Sequence, residues 1–507
     1  MSAAIPDAGY GGAGTWPYGG PPGQVPGAAG AGPWGESAGS GRPGRRGGRC
    51  GRWIVPVVAA AVVAALVGAG VAVTRFGNPS PGGLSKGVAV GGKVTGAPGL
   101  AAPAVGSGTA AATPEAAVQA ILDRRAAALR TGDLAGWLAE VDSSQPVLMA
   151  HQRMLFTNLR QLPLSLFRYT VDRGAETATS DVPAAVASTL SGFRMLYSPW
   201  RSLEYQFTGF DPAPVRDRYL PIFGLRGDKW LLAGDQTVAR SDYRWIEPWD
   251  SEPILVGYGR HVLVLVSAPD RRRLPGLVSV AEQALAQVGA MWPVGIHQVV
   301  LYDTRTVAVF ASYLGSSRIT GDYDGLTIGL GEGSGGHATD DLRVVVNPTS
   351  APPGSGRLPS LLRHEFTHVA KWADQSAGTP LWAAEGIAEY TAYGGHPGDQ
   401  LVSAQIGRDA SRGRLARALP TNQSFYASAT GYYDYGLAWC AFEYIFERYG
   451  ESKVRALYEV EARIAGPPDS APARAGQALA FQTVLHLSQA QFMTALAGWI
   501  KAALRPA

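Results

Sequence analysis

Two histidines four residues apart in LLRHEFTHVAKW (361–372) are the residues of this sequence best suited to chemistry. On a helix, His364 and His368 stand one turn apart and present their imidazoles on one face, which suits two corners of a tetrahedral zinc site. Glu365 leans toward the same region without coordinating, where it can take a proton from metal-bound water. PLWAAEGIAEY (380–390) offers the third ligand. There Glu385 lies on a short helix begun by Pro380, and Glu389, four residues along the same face, can orient His364 from behind. The set predicts one Zn2+ per chain, held by His364, His368 and Glu385, with Glu365 as general base.

These side chains need elements that hold them. Leu361, Leu362, Val369 and Trp372 give the first helix a buried face, and the apolar strand 342–346 is expected to supply a sheet edge beside it. Residues 374–379 form a turn-rich reversal, so that the two helices run antiparallel and bring Glu385 against the histidines. Upstream, HVLVLVSAP (261–269), LVSVAEQALAQVGAMW (277–292), HQVVLYD (297–303) and VAVFASYL (307–314) read as a mixed α/β layer. His337 and His396 lie in glycine-rich loops and are assigned no catalytic role.

HEFTH followed by LWAAEGIAEY resembles the gluzincin metallopeptidases, in detail the peptidase MA-like group, whose pattern is HExxH, a short connection and a Trp-Leu-x-Glu-Gly-x-Ala-x-Tyr helix. The resemblance covers roughly 255–505 and continues at TGYYDYGLAWCAFEYIFERYG (430–450), which looks like the Tyr-x-x-Gly helix that follows the metal site in these enzymes. It implies a zincin-like domain with a mostly helical carboxy-terminal half and a peptide or protein substrate. Aligned on Gly436, the transition-state tyrosine of the family falls on Tyr433. Ala384 stands where the aminopeptidase relatives carry asparagine, a variation the group tolerates. No Gly-x-Met-Glu-Asn segment is present to hold a free amine, so the resemblance implies an endopeptidase. In that chemistry zinc polarises the scissile carbonyl, Glu365 moves the proton and Tyr433 stabilises the oxyanion. The rival reading is a binding or scaffold protein whose zinc site is structural or vestigial.

The rest of the chain sets the context. Its 507 residues exceed one ordinary core, and its 65 glycines and 36 prolines are unevenly spread. Residues 1–52 read as a disordered Gly/Pro/Arg-rich head, open to a cytoplasmic partner. Twenty uncharged residues, 54–73, are long enough to cross a bilayer, and Arg42, Arg45, Arg46, Arg49 and Arg52 precede them. The expectation is therefore a single-pass membrane protein with a spanning helix at 53–74, its amino terminus cytoplasmic and its catalytic half extracytoplasmic. A flexible linker (75–113) would follow. A net charge of +4, with arginines clustered in the head, argues against a nucleic-acid partner. Cys50 and Cys440 are too few for a disulfide scaffold or a Cys-rich zinc module.

From Thr113-Pro114-Glu115 the periodicity predicts helices, then strands at 167–172, 201–210, 218–228 and 229–235, with a hairpin turn at Arg226–Lys229. Helices before a curved antiparallel sheet resemble the cystatin-like cone of the nuclear transport factor and SnoaL-like families. The expected fold class is thus α+β: an accessory α+β domain at 114–248 and a metallopeptidase domain at 253–505.

Overall fold

The computed structural model describes Gly12–Ala13 and residues 113–504, apart from 172–181, 183, 199–200, 220, 236–245, 294–297, 314–322, 331–340, 349–355, 377, 395–399 and 426–430. The segments read as head, spanning helix and linker, and His337 and His396, lie outside the described residues, save for the short strand β1 (Gly12–Ala13).

Helix α1 (Pro114–Thr131) starts where the sequence signals it. The Thr113 hydroxyl accepts a hydrogen bond from the Ala116 amide at 3.3 Å, Pro114 sits in the first turn, and Gly132 closes the helix in the left-handed region at φ 77°. Helices α2 (Leu134–Leu138) and α3 (Pro146–Leu159) pack beside it. The strands that follow are β2 (Leu164–Val171), β3 (Met195–Tyr197), β4 (Arg201–Phe207), β5 (Val215–Tyr219), β6 (Pro221–Arg226) and β7 (Lys229–Asp235), with the one-turn helix α4 (Ala184–Ala187) before β3. They form two three-stranded antiparallel sheets, ordered β2-β4-β5 and β3-β6-β7, not the single curved sheet expected. The run read as one strand at 218–228 spans the end of β5 at Tyr219 and the start of β6 at Pro221. A proline has no amide to give a ladder, and here it stands where the chain leaves one sheet for the other. Beyond it, Arg226 pairs with Lys229 across a turn containing Gly227 at φ 59°.

After α5 (Pro248–Ser251) comes the central sheet, built from β8 (Ile254–Tyr258), β9 (Val262–Ser267), β10 (Val299–Asp303), β11 (Gly325–Gly329) and β12 (Leu342–Val346) in the order β1-β11-β12-β10-β9-β8. Strands β9, β10 and β12 are parallel, while β8 and β11 run antiparallel to their neighbours. Helix α6 (Leu274–Met291) makes the crossover from β9 to β10, and α7 (Val307–Tyr313) follows β10. Strand β9 is buried along its whole length because both of its faces are covered. Val262, Val264 and Val266 pack with α6 and the carboxy-terminal helices, whereas Leu263 and Leu265 pack with Tyr205, Phe207, Trp249 and Tyr302.

These findings correct the expected fold class. The described residues form a mixed α/β architecture with parallel strands and a crossover helix, and no described helix is long and apolar enough to cross a membrane. The segments read as two domains share a hydrophobic core under the sheet. Polar groups also join them there. The Arg343 guanidinium on β12 donates to both carboxylate oxygens of Asp211 at 2.7 and 3.1 Å, with both side chains wholly buried. Nearby, the Glu247 carboxylate accepts from the hydroxyls of Tyr205 (2.8 Å), Tyr302 (3.2 Å) and Tyr313 (3.1 Å).

The other face of the sheet carries the helical half: α8 (Leu358–Lys371), α9 (Leu381–Tyr393), α10 (Gln400–Ser411), α11 (Asn422–Phe425), α12 (Gly431–Tyr449), α13 (Glu451–Ala462), α14 (Ala471–Leu485) and α15 (Gln489–Ala503). Helix α9 is buried almost all round. It approaches α12 closely at Gly386, where a Cβ would lie 2.9 Å from the Ala438 carbonyl and 2.8 Å from the Phe442 ring. One turn earlier Trp382 stacks on Phe442 at 5.6 Å.

Candidate metal centre

Helices α8 and α9 face each other through two pairs of residues spaced by four. Such pairs fall on one side of a helix, so His364 and His368 look toward Glu385 and Glu389. All four are buried, as is Glu365. Burial of so many ionisable groups is tolerable only if they satisfy one another or a bound ion.

Three ligand atoms converge. His364 Nε2 lies 3.3 Å and His368 Nε2 3.2 Å from the same Glu385 oxygen, Oε2, and the two imidazole nitrogens are 3.1 Å apart. Nitrogen and oxygen ligands about 2.0–2.1 Å from a tetrahedral zinc would stand about 3.3 Å from one another, so the triangle has the size the ion requires. Among the described residues this is the one His/Cys/Asp/Glu group that could hold a metal. Behind it, Glu389 Oε1 lies 2.9 Å from His364 Nδ1. A proton held on Nδ1 leaves the Nε2 lone pair facing the triangle.

The charges point the same way. Burial would pull the His364 imidazolium down, yet the hydrogen bonds to Glu385 and Glu389 outweigh it and lift the group to about 10. Burial would raise the Glu385 carboxyl, but His368 and His364 hold it below the ordinary range. The two carboxylates thus demand a positive charge at the triangle, which a divalent cation satisfies more fully than a proton.

Glu365, next to His364 and about 100° round the helix, is buried against β11. Burial pushes its carboxyl up to about 8, against the pull of His364 and of a hydrogen bond from Thr327. Thr327 belongs to β11, the sheet neighbour of the strand 342–346 expected to be the edge; β12 is an interior strand. The Thr327 hydroxyl lies 2.8 Å from Glu365 Oε2 and 3.0 Å from the Glu365 carbonyl oxygen. Two residues earlier, a Cβ on Gly325 would stand 2.6 Å from Glu365 Oε1.

Among the tyrosines of α12, the ring beside the histidines is Tyr435. Its centroid lies 6.4 Å from that of His364, and Phe425 packs edge-on against it at 5.0 Å. Tyr433 is half-buried, and burial, with Asp409, Cys440 and Asp434 nearby, pushes its phenol up to about 12. Residues two apart on a helix point about 200° apart, so the two phenols cannot serve one site together. Sequence reasoning thus brings His364, Glu365, His368, Glu385 and Glu389 together, and misses Thr327, Gly325 and Tyr435. The first two carry a signal: Gly325, Thr327 and Gly329 alternate with Leu326, Ile328 and Leu330, the period of a strand with one small-residue face. Comparison with protein families, with curated proteins and with solved structures finds no match to this chain.

Proposed function

We propose that this chain is a zinc-dependent metallopeptidase of the gluzincin type, hydrolysing internal bonds of peptide or protein substrates. The observation that supports it most is the His364–His368–Glu385 triangle with its 3.1–3.3 Å edges, flanked by a non-ligand glutamate. Three ligands leave a tetrahedral ion one open position, which a catalytic site needs and a structural site fills with a fourth protein ligand. When bound, zinc supplies a Lewis acid and a water that ionises near neutral pH.

The residues divide the remaining work. His364 and His368 offer Nε2 and Glu385 offers Oε2. Glu389 holds His364 in the tautomer that frees Nε2. Glu365 accepts a proton from the attacking water and returns it to the leaving amine, a role suited to a carboxyl whose environment raises its proton affinity. We assign oxyanion stabilisation to Tyr435, which lies beside His364, in place of Tyr433.

The test uses the full chain, loaded with zinc, on labelled casein and a quenched peptide library. Hydrolysis should vanish with a chelator, return with zinc, and be absent from Glu365→Gln although that variant still binds one zinc. An active Glu365→Gln protein, or a wild type that binds zinc and cleaves nothing, overturns the reading.

A further inference from the structure

Thr327 and Gly325 are unexplained by the ligand set, yet both touch the proposed base from a strand distant in sequence. In β11 alternate residues share a face, so positions 325 and 327 look toward α8 while Leu326 enters the core on the opposite side. Thr327 is wholly buried, and both acceptors of its hydroxyl belong to Glu365: Oε2 at 2.8 Å and the main-chain carbonyl at 3.0 Å. One hydroxyl proton shared between them ties the carboxylate to its own helix backbone. The other carboxylate oxygen, Oε1, is buried with no hydrogen-bond partner and lies where a Cβ on Gly325 would be. Any side chain there would take the space next to that oxygen.

From this geometry we infer that Thr327 is the positioning residue of the general base, and that Gly325 keeps room at Oε1 so that this oxygen takes the proton. Resting on the peptidase reading, the assignment names the atom on which that reading's proton transfer ends. Thr327 occupies Oε2, and Oε1, which accepts no hydrogen bond, stays available. The proton leaves the attacking water for Oε1, which then carries it to the leaving amine, while Thr327 keeps the carboxyl from rotating between the two transfers. In the same sequence the water oxygen bonds to the scissile carbonyl carbon and the bond from that carbon to the amide nitrogen breaks, its electron pair staying on the nitrogen that takes the proton.

Steady-state kinetics on the zinc-loaded full chain compares wild type with Thr327→Val, Thr327→Ser and Gly325→Ala. Loss of one hydrogen bond to a charged group should lower kcat roughly 10- to 100-fold in Thr327→Val, with KM and zinc content unchanged. Thr327→Ser keeps the hydroxyl and should recover most of the rate. Gly325→Ala, which crowds the other oxygen, should lower kcat without touching Thr327. A second readout needs no metal: in crystals of the metal-free protein, the Glu365 carboxylate should leave its position in Thr327→Val and keep it in Thr327→Ser. If Thr327→Val does not fold, the comparison of Thr327→Ser with Gly325→Ala decides. Thr327→Val with wild-type kcat, or Thr327→Ser as slow as Thr327→Val, overturns the inference and leaves the peptidase reading standing. A wild type without zinc-dependent hydrolysis sinks the peptidase reading instead, and the metal-free crystals still report whether Thr327 holds Glu365.

Discussion

Glu389 gives the sharpest test of the metal centre, because it touches no ion itself. Its Oε1 lies 2.9 Å from His364 Nδ1, and both side chains are shut away from water. A close contact between charged partners in such surroundings contributes up to roughly 1.5–3 kcal/mol once aligned as a hydrogen bond, against about 0.5–1.5 for a neutral pair. Glu389→Gln keeps the shape and an acceptor but loses the charge, a difference of about 1–1.5 kcal/mol, so zinc should bind roughly tenfold more weakly. Glu389→Leu leaves the Nδ1 proton buried with nothing to accept it and frees the imidazole to turn, and the loss should reach roughly 10- to 100-fold, in line with the outer partners of other metal-bound histidines. Affinity is read by competition against a chromophoric chelator at neutral pH. The graded order of wild type, Gln and Leu is the expected outcome. Leu binding zinc as tightly as wild type would refute the claim that Glu389 sets the His364 tautomer.

Two further outcomes are expected. Tyr435→Phe should lower kcat roughly 100-fold by removing an oxyanion donor, while Tyr433→Phe stays within about twofold of wild type; the reverse pattern would return the role to Tyr433. Burial, with Asp217 nearby, pushes the Glu247 carboxyl up to about 7 against the opposing pull of Arg343. Between the ordinary carboxylate range and that value the folded protein binds more protons than the unfolded chain. The Glu247 contribution to stability should therefore fall as pH rises from about 4.5 to about 7, by about 3 kcal/mol at most, and be constant above it. Glu247→Gln, which mimics the protonated acid, should remove that slope from urea unfolding midpoints measured at both ends of the window; an unchanged slope would refute it.

What could be read ahead of the structure was what obeys local rules. His364, Glu365, His368, Glu385 and Glu389 were legible because a four-residue spacing on a helix fixes a common face whatever surrounds it. Thr327 was not, since its claim on Glu365 depends on a strand being laid beside α8 from 38 residues away. Tyr433 and Tyr435 differ only in helical phase, and an alignment on Gly436 cannot say which face meets α8. Pairing direction is likewise invisible locally: VLVLVS shows a strand buried on both sides, but not that one neighbour is parallel and the other antiparallel or that the segment before it covers one face. This is how an α+β expectation gave way to a mixed α/β sheet.

The shared core beneath the sheet bears on how the carboxy-terminal half can exist at all. Cut away at residue 250, the carboxy-terminal segment would expose Leu263, Leu265, Val300, Tyr302 and Val345 to solvent, and Arg343 would lose the carboxylate that balances it. Severed there, the carboxy-terminal segment should not keep its fold without the residues ahead of it. The helices and paired sheets ahead of it are half of one foundation, so a substitution that loosens them should also loosen the sheet on which α8 and α9 rest.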